Sequence, residues 1–402
     1  MGFQQGLSGL NAASKSLDVI GNNVANANTV GFKESQAQFA DVYANSLTGA
    51  GASQVGIGTK VAQIAQQFSQ GNITASNNPL DVAINGGGFF RMSNNGTIAY
   101  ARNGQFQLDK AGYIVNATGS RLTGYGVNAS GVLATGAPTN LNINTADLTP
   151  KTTTKVNALL NLNSGSALPV TTPFNMVDPT TYNNSTAVSV YDSLGNAHTL
   201  QTFYVKTGAG AWNVYASTDG GAASLVSPLN FNSSGALTTA MPLTVPVVVT
   251  TGATSPFSVA LDFTGTTQYG SSFSVNALKQ DGYTSGRLSG FNISADGTIV
   301  GRYTNGQSAT LGQVVLANFT DPNGLQPLGN NLWSETATSG PALVGTPNSG
   351  SLGVLQSSAV EDSNVDLTAE LVNMITAQRT YQANAQTIKT QDQVLQTLVN
   401  LR

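Results

Sequence analysis

The chain has 402 residues, enough for two or three domains with sizeable cores. Only 9% of them are charged and the net charge is −3, which leaves no basic footprint for nucleic acid and no polybasic patch for a membrane surface. Cysteine is absent, so disulfides and thiolate metal sites are excluded, and no apolar run approaches the roughly 20 residues that would span a bilayer.

The periodicity predicts a first helix over residues 3–27. Phe3, Leu7, Leu10, Leu17 and Val24 recur at alternating four- and three-residue steps, with Ser14 and Gly21 as small residues on the same seam and Val19 and Ile20 flanking it. This start does not read as a cleavable signal peptide: it lacks a basic opening, and Gln4, Gln5, Ser8, Asn11 and Lys15 interrupt any apolar core. The helix is expected to stop near Asn26–Asn28, ahead of Gly31. Residues 32–47 read as a weaker helix through Phe39, Val42 and Tyr43, and the Gly-rich stretch 49–58 as a flexible connector.

From about residue 60 the period becomes two. Leu80–Ile84 and Gly86–Phe90 are followed by turn signals at Asn94–Gly96, Asn103–Gly104, Asp109–Gly112 and Asn128–Gly131, the pattern of hairpin-rich antiparallel structure. Pro/Thr/Asn-rich sequence over 138–155 marks a boundary. A second β-region follows, rich in Ser, Thr, Asn and Ala, for which a modest core is expected. Near 282–290 the style of the first β-region returns, which suggests one domain interrupted by an insertion. The predicted fold is therefore mainly β with terminal α-helices. Two nested antiparallel β-domains, an inner one (71–145 and 285–358) and an outer one (146–284), sit on connectors (31–70 and 359–362) below an antiparallel helical arm, the terminal coiled-coil assembly domain of 1–30 and 363–402.

The last helix is predicted over 363–401, with Leu367, Leu371, Met374, Tyr381, Ile388, Leu395 and Val399 on its stripe, Gln378, Ala385 and Asp392 interrupting it, and Val372, Ile375 and Leu398 beside it. Glu361, Asp362 and Asp366 precede it, where acidic groups favour the positive end of the helix dipole. At 1.5 Å per residue the two helices would be about 37 and about 58 Å long. A two-helix arm of that length has no third element to cover its outer faces. It should fray in a monomer and become ordered against neighbouring copies. Burial of each leftover Leu or Ile would contribute about 1.5–3 kcal/mol. The assembly interface is accordingly assigned to Phe3, Leu7, Leu10, Leu17, Ile20 and Val24 with Leu367, Leu371, Met374, Ile375, Tyr381, Ile388, Leu395 and Leu398.

Little in the chain points to chemistry. The single histidine, His198, lies among polar strand residues and reads as exposed. No Gly-x-Ser-x-Gly elbow is present. Gly86–Gly88 has no Lys at Walker spacing and continues into Phe89–Phe90, so a bulge or tight turn is the better reading. Asp81 and Asp109 sit by glycine turns without EF-hand spacing. No catalytic, cofactor or metal site is assigned, and the chain is not read as an enzyme.

Three sets of motifs carry a resemblance. Ser8-Gly-Leu-Asn-Ala-Ala13, Leu17-Asp-Val-Ile-Gly-Asn-Asn-Val-Ala-Asn26 and Thr29-Val-Gly-Phe-Lys33 resemble the N-terminal signature of bacterial flagellar rod and hook proteins. Ser363–Ile375 and Gln378–Lys389 resemble their C-terminal signature, and Leu80–Ile84, Gly88–Phe90 and Tyr100–Phe106 the first β-domain. The large outer region 146–284, with Tyr191–His198, is similar to that of the hook members, whereas distal-rod members are shorter. Residues 46–58 look longer than in the best-known hook members.

The resemblance implies a homopolymer of hook subunits: a flexible tube acting as a universal joint that passes motor torque from rod to filament. It implies contacts with flagellar rod, hook-cap and hook–filament junction proteins. It further implies an extracellular place in the flagellum, reached through the type III export apparatus without signal cleavage or membrane insertion. A distal-rod-type axial subunit is the alternative. A third reading, a secreted carbohydrate-acting enzyme or adhesin, would need a cleft with paired carboxylates.

Overall fold

The computed structural model describes residues 2–42, 56–128 and 131–400, apart from the side chains of residues 2, 398 and 400. Residues 49–55 of the expected Gly-rich connector, and Tyr43, lie outside the described residues. Helices α1 (Gly2–Ala25) and α2 (Leu367–Asn400) occupy the two ends, and the described elements between them are strands and two short 3-10 turns. With 24 and 34 residues, the helices are about 36 and about 51 Å long. The chain divides into two compact units: residues 1–144 with 290–301 and 308–402, and residues 145–289 with 302–307.

In the first unit the expected helix over 32–47 is not found over its described residues 32–42, and residues 43–47 lie outside the described residues. Strands β1 (Ser35–Val42) and β2 (Gly58–Gln66) form an antiparallel hairpin instead, with Gln36 opposite Ala65 and Ala37 opposite Ile64. The three-residue spacing of Phe39 and Val42 is helix-like and does not by itself mark a strand face. The backbone is decided by a side chain from α1: Asn23 accepts from Ser35 N at 2.9 Å and donates to Ser35 O at 2.8 Å, a two-point match to an extended residue. Gln63 and Gln38 then pair across the strands at 2.9 Å.

The rest of this unit is built on a sheet running Ser308–Val314, Arg121–Gly126, Phe89–Asn94, Thr97–Ala101, Leu332–Ser334 and Gln326–Gly329. Phe89, Tyr100, Phe319 and Trp333 form its aromatic core, with Phe68 packed edge-on to Phe89 at 5.4 Å and to Trp333 at 5.6 Å. Two short ladders bring the returning chain back to the outgoing one. Val354–Ser357 pairs with Val82–Asn85, and Ala359–Glu361 with Ile73–Ala75.

The second unit is a sandwich of two four-stranded sheets. One is the antiparallel meander Asn184–Tyr191, Ala197–Gly208, Ala211–Thr218 and Ser224–Asn230; the other runs Leu243–Val247, Phe257–Asp262, Lys155–Asn161 and Ser274–Gln280. Two pairings depart from the all-antiparallel expectation: Lys155–Asn157 runs parallel to Ala260–Asp262, and Asn161 bridges Thr267 in parallel. The core is larger than the Ser/Thr-rich composition suggested. Trp212, Tyr204 and Phe263 are fully buried among Val156, Leu200, Val245 and Leu261, because the apolar minority falls on alternate strand positions.

His198 is also buried, at 6% exposure, contrary to its reading as an exposed strand residue. Its Nδ1 lies 2.6 Å from Asp219 and its Nε2 3.2 Å from Asp192, to which Thr251 also donates at 2.7 Å. The polar neighbours that suggested exposure are what make burial tolerable. Burial works against the ring's charge, but the two carboxylates outweigh it and hold His198 above its ordinary 6.5. For Asp192 burial opposes charge as well, and hydrogen bonds from Asn196, Thr251 and His198 bring it far below the usual carboxylate range.

A raised histidine contributes stability that is complete below pH 6.5 and is lost as pH climbs through its folded value. The thermal midpoint of this unit, followed by Trp212 fluorescence in a Trp333→Phe background, should therefore fall on going from pH 6 to alkaline pH. His198→Gln should cost about 2 kcal/mol at pH 6 and flatten that slope. An unchanged slope in the variant would refute this role.

Candidate assembly surface

Helices α1 and α2 run antiparallel. Gly6 faces Ile388, Gly9 faces Asn384, and Asn23 donates to Glu370 at 3.2 Å, so positions rise along one helix as they fall along the other. The glycines permit the close approach: a Cβ on Gly9 would stand 2.6 Å from the Asn384 amide, and one on Gly6 3.1 Å from Ile388 Cγ1. This seam takes Ile388 from the apolar stripe read in the sequence but is otherwise offset from it. It uses small and polar residues, and Gly21, placed on the stripe as a seam residue, has no neighbour within 4 Å of a built Cβ.

The arm does have a third element. Gln5 Nε2 donates to Gly56 O, and Thr59 N donates to Ser8 Oγ at 3.3 Å, so the end of the β1–β2 hairpin lies on α1. A cavity of about 570 Å³ opens between the two helices and the hairpin, with Ala13, Val19, Ile20, Phe39, Thr376 and Ala377 among its walls.

The assigned interface residues separate by burial. Ile20 is buried inside the arm, and Ile388 is engaged by Gly6. Leu10, Leu17, Val24 and Met374 are half-buried. Phe3 and Leu7 on α1, and Leu367, Leu371, Ile375, Tyr381 and Leu395 on α2, are exposed, with Leu371 at 49% and Ile375 at 52%. The side chain of Leu398 lies outside the described residues. Val372, Val394 and Val399 extend the exposed set.

On α2 the interspersed threonines are turned inward on their own helix. The hydroxyls of Thr376, Thr380, Thr387, Thr390 and Thr397 each donate to the carbonyl four residues back, at 2.8–3.0 Å. A surface whose hydroxyls are already satisfied can be covered by another protein without orphaning a donor.

Below the helices, Glu361 gathers the chain. Of the three acidic groups expected at the dipole of α2, Asp366 caps the helix, accepting from Thr368 N at 2.8 Å and Ala369 N at 3.2 Å, whereas Glu361 turns into the body. Glu361 is 1% exposed. Its Oε1 meets Lys33 Nζ at 2.6 Å and Gly71 N at 3.0 Å, its Oε2 meets Arg102 Nη1 at 3.1 Å, and its backbone O accepts from Gly31 N at 2.8 Å. Lys33 also donates to Ser69 O at 2.7 Å and Arg102 to Gly86 O at 2.8 Å.

Burial pulls both cations below their ordinary values while Glu361 pulls them back up. Gly31 adopts φ +71°, and a Cβ there would stand 2.5 Å from Asn103 N, so this turn accepts only glycine. Beside it, Asn364 accepts from Glu34 N at 2.8 Å and donates to Gln67 O at 2.8 Å. None of these residues was singled out from the sequence as a contact, since Lys33 and Glu361 are 328 positions apart. The one available signal was a Lys, an Arg and a Glu in a chain nearly free of charge.

No group of three His, Cys, Asp or Glu side chains suited to a metal occurs among the described residues. Asp109 accepts from Ala111 N and Tyr113 N, capping its own turn. No helix among the described residues is long and apolar enough to cross a membrane.

Comparison with known proteins matches four family models along the chain. They are a flagella basal body rod protein model (residues 3–33), the flagellar hook protein FlgE/F/G D1 domain (83–158), the flagellar basal body protein FlaE D2 domain (161–283) and the flagellar basal body rod FlgEFG protein C-terminal model (356–401). The chain is 46% identical to the flagellar hook protein FlgE of Escherichia coli K12 over 100% of both chains. It is 35% identical to that of Rhizobium meliloti over 100% of this chain and 98% of the relative. Among solved structures, the Helicobacter pylori flagellar hook protein FlgE2 shares the fold, with a TM-score of 0.52 at 15% identity, covering 72% of this chain and 99% of the other.

Proposed function

Because the chain belongs to the flagellar hook protein family and is a structural subunit of the hook, we propose that the outward faces of its terminal helices are what joins one subunit to the next in the tube. The observation that supports this most directly is the exposed apolar set on α1 and α2 beside threonines that need no outside partner. Each exposed Leu or Ile that a neighbour covers contributes about 1.5–3 kcal/mol, and several per subunit suffice for a stable polymer. The full-length similarity to hook proteins favours the hook over the distal-rod alternative.

The finer reading follows the same chemistry. The subunits form a flexible tube with the helices innermost and the β-units outside, acting as a universal joint between rod and filament. It meets rod, hook-cap and hook–filament junction proteins at its ends. Subunits reach this extracellular site through the type III apparatus without signal cleavage. A surface with few charges and many small polar side chains lets neighbours shift without breaking strong ion pairs.

The test is Leu371→Asp in the full chain. We expect the critical concentration for tube formation, measured by sedimentation and electron microscopy, to rise at least about tenfold while both units keep their thermal midpoints. Wild-type tube formation by the variant would sink the assignment.

A further inference from the structure

The Glu361 cluster has no evident part in covering apolar surface, and its position relates it to the transmission of force. Two short chain segments, residues 26–34 and 361–366, lead from the β-body of the first unit to the helical pair. Twist applied to the helices passes through them and through the β1–β2 hairpin, which packs on α1 and rejoins the body just ahead of Gly71. At this neck the buried carboxylate of Glu361 meets Lys33 on the outgoing segment, Gly71 N on the link after β2 and the sheet-borne Arg102, while its backbone carbonyl accepts from Gly31 N.

We infer that Glu361, Lys33 and Arg102 form a clamp that fixes the direction of the helical pair on its own β-body, so that torque reaches the next subunit instead of turning the neck. The inference rests on the hook reading above and names positioning residues within it.

Three features support the clamp over a merely structural ion pair. Lys33 and Arg102 arrive from different parts of the unit and grip different oxygens of the same carboxylate, so neither can swing without the other. Each cation holds a second, backbone partner, Ser69 O or Gly86 O, which fixes its direction as well as its distance. The 0% exposure of both the Lys33 and Glu361 side chains means that water cannot substitute for either bond as the neck is strained.

The experiment uses the full chain with Lys33→Met, which leaves the Glu361–Arg102 pair neutral and intact, and with Lys33→Arg as the conservative partner. Amide hydrogen exchange of the monomer at Gly31 and Gly71 should accelerate about 10- to 100-fold in Lys33→Met. Tubes should still form, but the torsional stiffness of single hooks, read from a bead on a tethered hook, should fall at least about twofold, with partial recovery in Lys33→Arg.

Glu361→Asp, too short to reach both cations, provides the second variant and should soften the hook likewise. Unchanged exchange, or faster exchange with wild-type stiffness, overturns the clamp. A chain that folds with neither substitution also overturns it, because the cluster would then serve folding alone. Failure of the wild-type chain to form tubes would instead count against the hook reading, and the exchange result would stand apart from it.

Discussion

A chain lacking residues 1–30 and 363–402 is expected to remain a folded, soluble monomer and to form no tubes at any concentration where the full chain polymerises. The cut removes α1, α2 and with them the exposed Phe3, Leu7, Leu371 and Ile375, yet it spares Lys33, Arg102 and Glu361 and both ladders of the returning chain. The aromatic core around Phe89 and Trp333 and the sandwich around Trp212 draw nothing from the deleted segments. The β1–β2 hairpin does lose its support. A lone two-stranded hairpin is marginal in water, so its amides should exchange freely in the truncated protein. Sedimentation and electron microscopy give the readout, and tubes of normal appearance would end the case for the helices as the joining surface.

Glu361→Gln should be the most damaging single substitution at the neck. It leaves two buried cations facing a neutral amide. Removing one partner of a buried charge network costs about 3–5 kcal/mol. For a unit of this size that is a fall on the order of 10 °C in thermal midpoint. Trp333 fluorescence reports this unit and Trp212 the other, so the drop should appear in the first signal and spare the second. Replacing all three groups together, as Lys33→Met, Arg102→Met and Glu361→Gln, should restore much of the loss, since no uncompensated charge then remains. A midpoint for Glu361→Gln within a degree of wild type would show that the cluster is not held as described.

The parts of this molecule that can be read from sequence are those with a short period. The terminal helices declare themselves through Leu7, Leu10 and Leu17 and through Leu367, Leu371 and Met374, and the alternation in Phe257–Asp262 or Ala211–Thr218 marks half-buried strands. What stayed hidden depends on partners far along the chain. Ser35 is extended because Asn23 grips it and β2 pairs with it, neither of which a helix-like spacing at Phe39 and Val42 reveals. His198 is buried because Asp192 and Asp219 converge on it across two turns. The seam between the helices is cut largely into glycines and amides, and of the apolar stripe it takes in Ile388 against Gly6, which the heptad spacing alone does not reveal.

The ladder that binds Ala359–Glu361 to Ile73–Ala75 also orders the folding of a chain that arrives end first. Residues 145–289 hold nearly all of the second unit, so it can fold as soon as that stretch is present. Its base is then pinned where Leu148 and Gly286 exchange backbone hydrogen bonds. That pinning roughly halves the loop the first unit must still close, a gain of only about 0.6 kcal/mol, so loop entropy does not set the sequence of events. Availability does. Lys33 has no Glu361, and α1 has no α2, until the last tenth of the chain has come through. A subunit built this way completes its helical pair only when every other part is finished, so an incomplete chain lacks the matched α1–α2 surface altogether.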